Sequence, residues 1–250
     1  MKTLVICHDG AALDQEGLAR WLASFSELVG LVVLRETGKR ARRRISTEIK
    51  RVGPLRFIDV LAFRLYYRLF LARQDRRWEE QKLEELRAIY PALKDVPVLM
   101  THSPNSEEAE RFIKERRPDI MIARCKSLLK ETIFSIPTKG TLVMHPGICP
   151  EYRGNGDRSR VGMTMLRIDK GVDTGPVFGY YLYSGDDRHE SHVVIQHRVV
   201  LDNLEAIGKK LHEIFLGEAV PIDTKGRKSS TWGQPWLPKY LAWKSRARRG

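Results

Sequence analysis

His145 closes the run Gly140-Thr-Leu-Val-Met, which reads as a buried strand, and Pro146-Gly147 turns the chain directly after it. A histidine at the carboxyl end of a parallel strand stands where open α/β sheets place their ligands. Position alone fits a ligand-facing group and a satisfied core histidine equally. Asp173 lies in Lys170-Gly171-Val172-Asp173-Thr174-Gly175-Pro176, a turn between two extended runs. Gly171 and Gly175 are expected to allow backbone angles that other residues avoid, so that the aspartate can be aimed. The alternative is an aspartate that satisfies its own turn through an Asx hydrogen bond. The chemistry open to an imidazole and a carboxylate is proton transfer near neutral pH. His189-Glu-Ser-His192 spaces two histidines for one helix face, but without a third ligand it reads as surface polarity, so no metal site is expected. Cys149 has no adjacent base beyond His145 and reads as packing.

The surrounding elements decide whether these residues can be positioned. Residues 3–8 and 29–34 are short apolar runs separated by helical periodicity through Leu13, Leu18, Trp21, Leu22 and Phe25. Strand, helix and strand make a βαβ unit and imply a parallel sheet. From Pro97 the α/β rhythm returns. A strand ends at Thr101, Ser106 caps a helix over 107–116, and 119–124 is a strand buried on both faces. A short helix is expected over 128–133. Half-buried antiparallel strands are expected over 161–168 and 177–183, then one helix over 190–216. Between the two α/β parts, about residues 38–92, lies a basic helical insertion. Pro54 opens an amphipathic helix whose apolar face is read as Leu55, Ile58, Leu61, Leu65, Leu69 and Phe70. That helix is expected to pack on the body of the protein or on a partner chain, and a homodimer through 54–73 is one outcome. Its alternation of basic, aromatic and apolar residues also suits a membrane surface. The organisation expected is one domain over 1–216, followed by a basic tail over 217–250.

Two segments narrow the reading. His145-Pro-Gly-Ile-Cys-Pro150-Glu-Tyr152-Arg153-Gly154, then Gly162-Met-Thr164, then Gly171-Val-Asp173-Thr-Gly175-Pro resemble the folate-dependent formyltransferase family. That family carries Asn-x-His-Pro-x-x-x-Pro-x-(Tyr/Phe)-(Arg/Lys)-Gly, a Gly-Val-Thr strand and Gly-x-Asp-x-Gly, as in glycinamide ribonucleotide formyltransferase and the catalytic domain of methionyl-tRNA formyltransferase. The resemblance implies a Rossmann-like α/β fold with a mostly parallel central sheet flanked by helices. It also implies transfer of a formyl group from 10-formyltetrahydrofolate to an amine. Attack of the amine creates an oxyanion, which His145 would stabilise or protonate while Asp173 favours the charged imidazole and shuttles the amine proton. By the same resemblance, Ser127, Leu128 and Leu129, with Val172 and Asp173, would line the folate pocket. Tyr152, Arg153 and Gly154 would lie beside the acceptor, and His8, Asp9 and Gly10 would take its phosphate end.

The sequence departs from the family twice. Val143 stands where the family has its asparagine, two residues before the histidine. One lost oxyanion donor costs about 100- to 1000-fold in rate, and Asn155 is the candidate replacement amide. Between Arg153 and Gly162 the chain is shorter than the family by about eight or nine residues, roughly two helical turns. Either the site is remodelled there or a segment is missing from the sequence.

Composition bounds the partners. No stretch approaches the roughly 18 apolar residues of a membrane span. The first eight residues do not read as a signal peptide, and three scattered cysteines fit a reducing compartment, so a cytoplasmic location is expected. The net charge of +13 favours anionic partners: phosphates, nucleotides, RNA or acidic lipid surfaces. Nucleic acid stays open but disfavoured, since charge alone does not meet its other requirements. A small anionic amine such as an amino sugar nucleotide is the expected acceptor, because only the short tail follows residue 216, without a sizeable tRNA-binding domain. Hydrolysis of 10-formyltetrahydrofolate and a catalytically inactive, formyltransferase-like binding protein are the alternatives.

Overall fold

The computed structural model describes residues 1–150, 162–185, 188–227 and 236–249. Its centre is one seven-stranded sheet in the order β3-β2-β1-β4-β5-β6-β7. The strands are β1 (Lys2–His8), β2 (Glu27–Leu34), β3 (Val98–Thr101), β4 (Ile120–Arg124), β5 (Gly140–Pro146), β6 (Gly162–Arg167) and β7 (Val177–Leu182). β1 pairs in parallel with β2 and β4, β2 with β3, and β4 with β5. β5–β6 and β6–β7 are antiparallel. The strand order reverses between β1 and β4, and crevices outside the carboxyl ends of strands at such a switch point hold ligands in open α/β sheets.

Alternation along the strands splits the core into two layers. Val5, Cys7, Leu31, Val33, Ile120, Ile122, Leu142 and Met144 face one layer. Leu4, Ile6, Val32, Leu34 and Met121 face the other. Each fully buried leucine or isoleucine contributes about 1.5–3 kcal/mol relative to exposure. The first layer is covered by α1 (Ala19–Ala23), entered through a wider turn at Leu13–Leu18, and by α7 (His192–Leu201) and α8 (Leu204–Leu216). The second is covered by α5 (Glu107–Arg116) and the short α6 (Glu131–Phe134). Ser106 caps α5 as expected, its hydroxyl accepting from the Ala109 N–H at 3.3 Å.

Three local expectations change. β6 is buried on both faces rather than half-buried, because α7 and α8 cover Met163 and Met165 while the Gly147–Cys149 turn covers Thr164 and Leu166. The helix expected over 128–133 starts only at Glu131; Lys130 is extended, and its N–H is taken by the Asn105 side chain at 2.8 Å. The single helix expected over 190–216 is two helices, broken at Asp202-Asn203. There the Asn203 amide donates to the Val199 carbonyl at 2.8 Å in place of a continued backbone ladder.

The basic segment folds as α2 (Gly38–Val52), α3 (Pro54–Tyr66) and α4 (Ala72–Ile89), the last two joined through the wider turn Tyr67–Leu71. Gly53, at φ +82°, makes the corner, and Pro54 starts α3. The apolar face read for this helix is not the face that packs on the body. Val60 and Phe63 are buried, whereas Leu55, Ile58, Leu61, Leu65, Leu69 and Phe70 are exposed. The helix is apolar on most sides, so its sequence could not select one. Residues beyond 216 also engage the body. The Ile222 N–H donates to the Val177 carbonyl at 2.8 Å. Tyr240 of α9 (Leu237–Arg249) is buried against Phe63, their ring centroids 5.0 Å apart.

Candidate active site

His145 is the penultimate residue of β5, at its carboxyl end, on the strand face opposite Leu142 and Met144. The turn after it is held from below. The Thr164 hydroxyl, buried in β6 opposite His145, donates to the Gly147 carbonyl at 2.6 Å and accepts from the Cys149 N–H at 2.9 Å. The Tyr180 hydroxyl of β7 donates to the Cys149 carbonyl at 2.8 Å and accepts from Arg227 at 2.6 Å. Cys149 is buried, as its reading as packing required.

Asp173 Oδ1 lies 3.4 Å from His145 Nδ1, with both side chains about one fifth exposed. The turn that aims Asp173 is built differently from the expectation. Asp169 takes the Asx role, its Oδ1 accepting from the Gly171 N–H at 3.0 Å and the Thr174 hydroxyl at 2.8 Å. The carboxylate of Asp173 is thereby left for His145. The left-handed residue is Asp173 itself, at φ +54°, while Gly171 and Gly175 keep φ outside that region. They are needed for clearance: a Cβ would meet Thr174 Oγ1 at 1.9 Å from Gly171 and the Arg167 carbonyl oxygen at 1.8 Å from Gly175. A non-glycine residue held left-handed is local strain of the kind that collects at functional sites. Asp169 could have been found in the sequence, because Asp-Lys-Gly fits an Asx turn.

The loops expected to line a folate pocket are each held by local bonds. Asn105 fixes the 127–130 loop by donating to the Leu128 carbonyl and accepting from the Lys130 N–H, both at 2.8 Å. Lys170, at the edge of the Asp173 turn, reaches Glu131 at the start of α6 at 3.1 Å. Leu128 and Val172 are exposed apolar side chains on these loops, whereas Leu129 packs against the second core layer. Ser127 contributes its carbonyl to a contact from Cys125 Sγ at 3.6 Å.

At the switch point, the Lys126 N–H donates to His8 Nε2 at 3.0 Å, bridging the ends of β1 and β4. Asp9 pairs with Arg35 at 3.4 Å, and Gly10 turns the chain at φ +79°. Arg124 donates to Asp14 at 2.9 Å and to the Met144 carbonyl, immediately before His145, at 3.3 Å. Arg35 and Arg124 thus stand near the carboxyl ends of β2 and β4, each paired with an aspartate. Tyr152, Arg153, Gly154 and Asn155 lie outside the described residues. Val143 packs against the cluster of Cys149, Leu166 and Val177 and offers no hydrogen bond from its side chain. Burial pushes the thiols of Cys7 up to about 12 and Cys125 up to about 11, which removes them as nucleophiles at neutral pH. Among the described residues no group of three or more His, Cys, Asp or Glu is arranged for a metal ion. His192, read as surface polarity, instead packs between Phe63, Tyr67 and Tyr240. Among the described residues no helix is long and apolar enough to cross a membrane.

The sheet order defines a Rossmann-like α/β domain, and its likeness is to solved formyltransferases. Over about a third of its length the chain is similar in sequence to methionyl-tRNA formyltransferases. It is 35% identical over 92 residues to the methionyl-tRNA formyltransferase of Kosmotoga olearia, covering 33% of this chain and 29% of that one. It is 34% identical over 93 residues to the methionyl-tRNA formyltransferase of Thermotoga maritima, with the same coverage. The chain therefore matches less than a third of the length of these relatives. In fold, phosphoribosylglycinamide formyltransferase from Anaplasma phagocytophilum superposes with a TM-score of 0.54 at 12% identity, covering 94% of this chain and 99% of that one. A likely sugar N-formyltransferase from Mycobacterium tuberculosis superposes with a TM-score of 0.51 at 15% identity, covering 99% and 87%. No family model matches the chain.

Proposed function

We propose that the protein is an N-formyltransferase that moves a formyl group from 10-formyltetrahydrofolate to the amine of a small anionic acceptor, such as an amino sugar nucleotide. The observation that carries this reading is the His145–Asp173 pair, 3.4 Å apart at the carboxyl end of β5. The donor supplies an activated formyl carbon, which the acceptor amine attacks as the carbon–N10 bond breaks. Asp173 beside Nδ1 favours the charged imidazole. In that form His145 holds a proton toward the formyl oxygen as it gains charge. Asp173 accepts the proton released by the attacking amine, and one proton is returned to N10 as it leaves. The Ser127–Leu129 loop and the Gly171–Asp173 turn are the fitting walls for the flat pterin, with Leu128 and Val172 exposed to cover it and backbone groups to pair with it. His8, Asp9 and Gly10 at the end of β1, with Arg35 beside Asp9, are the candidate seat of an acceptor phosphate. A solved structure of similar fold, described as a likely sugar N-formyltransferase, is in keeping with a sugar acceptor.

Val143 favours a second reading, a scaffold that binds the folate without turnover, because the residue two before His145 is packed in apolar surroundings. Calorimetric titration with a stable 10-formyltetrahydrofolate analogue, followed by a screen of amino sugar nucleotides for release of tetrahydrofolate, separates the two. Micromolar binding with turnover supports the transferase. Binding without turnover on any amine selects the scaffold. Absence of binding by folded protein removes both.

A further inference from the structure

The positive charge of this protein is confined to one part of it. Residues 38–73 contain eleven Lys or Arg against two acids, Glu48 and Asp59, and residues 237–249 contain five against none. The other 201 residues carry 28 basic and 29 acidic side chains, so the α/β body is close to neutral. The two basic segments are remote in sequence, yet α9 packs on α3. Tyr240 sits against Phe63 and Tyr66 at ring-centroid distances of 5.0 and 6.1 Å, and the Arg56 guanidinium lies 5.1 Å from the Trp236 ring centre.

The same helical layer carries the apolar face that the body leaves uncovered. Leu55, Ile58, Leu65 and Leu69 recur at helical spacing and are 58–81% exposed, with Phe70 beside them at 66%. Arg64 and Arg68 directly precede Leu65 and Leu69 in the helix, and Arg56, Arg68 and Arg73 are exposed. An apolar stripe edged by cations on a helix that packs on the protein by its other side is the pattern of a helix lying in a bilayer interface. No described helix is long and apolar enough to cross.

We infer that α3 and its continuation through Leu71, flanked by α2 and α9, dock this protein onto an anionic lipid surface, with Leu55, Ile58, Leu65, Leu69 and Phe70 entering the headgroup–acyl boundary. Charge decides against a second copy on this face. A two-fold contact sets each surface against its own kind, and Glu48 and Asp59 are the only acids in 38–73 and 237–249 to oppose sixteen cations. The apolar stripe decides against nucleic acid, whose phosphates are matched by cations and leave exposed leucines without a partner. The inference does not depend on the catalytic reading, since docking needs neither His145 nor Asp173.

Vesicle flotation with the full chain tests it, using phosphatidylcholine alone and with about one third phosphatidylglycerol. Binding to the anionic vesicles at least about ten-fold above the neutral ones, weakened by salt, is expected. Leu65→Glu with Leu69→Glu should reduce binding at least about ten-fold while the melting temperature is kept, since both side chains are exposed. Three outcomes overturn the inference. One is equal or absent binding to both vesicle types. Another is a light-scattering mass of a dimer that the double variant halves. The last is RNA binding that competes with vesicles and ignores the double substitution.

Discussion

Asp173 faces His145 across 3.4 Å because a third residue, Asp169, satisfies the turn in its place. An aspartate consumed by its own Asx turn could not serve an imidazole. Asp173→Asn keeps the volume and removes the charge, so formyl transfer should fall by about 100-fold or more while the analogue still binds. Asp169→Ala should weaken analogue binding as well, since it releases the turn proposed to line the folate site. Single-turnover rates with titration of the analogue check both. An Asp173→Asn enzyme with unchanged rate would end the acid–base role.

Gly175 is fixed by space. Its missing side chain lets the Arg167 carbonyl pass where a Cβ would sit only 1.8 Å away, and a backbone atom cannot swing aside. Gly175→Ala should therefore cost about 2–4 kcal/mol and displace Asp173 together with the turn. Lys170→Ala, at a side chain 78% exposed, should leave the melting temperature nearly unchanged. Thermal melts of the two variants make the comparison. Equal stability of Gly175→Ala and the parent would show that the turn has slack which this geometry denies.

The sheet and the His145–Asp173 pair were legible because each is written locally. Strand runs are short and apolar, and the two motifs carry turn residues at fixed offsets. What escaped depended on partners distant in the chain. The face that α3 buries is set by Tyr240 and His192, more than a hundred residues away, and a helix apolar on most sides holds no periodicity to reveal it. Thr164 was visible only as part of a motif word, and its work on Gly147 and Cys149 appears only once β6 lies beside β5. The break at Asn203 is a side chain competing with the backbone, which helical periodicity passes over.

Thr164 gives a prediction about the wall behind His145. Its hydroxyl bonds both the Gly147 carbonyl and the Cys149 N–H in a fully buried setting. Thr164→Val preserves shape and strands both backbone groups, at about 1–3 kcal/mol each. Urea unfolding should show a loss of about 2–4 kcal/mol, with Thr164→Ser recovering most of it. If Thr164→Ser proves as unstable as Thr164→Val, the methyl group and not the hydroxyl holds the loop.

His192 predicts acid lability in the helical layer. Burial among Phe63, Tyr67 and Tyr240, with the positive charges of Lys126 and Lys244 adding to it, lowers its pKa from 6.5 to about 4. The unfolded chain then binds a proton that the folded chain refuses. Stability is full above 6.5 and is lost as pH falls toward 4, by a maximum on the order of 3 kcal/mol. Burial lowers His197 in the same sense. Asp75, hydrogen-bonded by Ser191 at 2.6 Å and raised by burial, works in reverse, its share present below about 3.8 and lost as pH rises above it. Between 6.5 and 4 the melting temperature should therefore drop steeply for the parent and less steeply for His192→Leu, which keeps the packing without a titrating group. Circular dichroism melts across that range read the slope. A parallel drop in both proteins would move the lability to His197, and His197→Leu would then be the variant that flattens it.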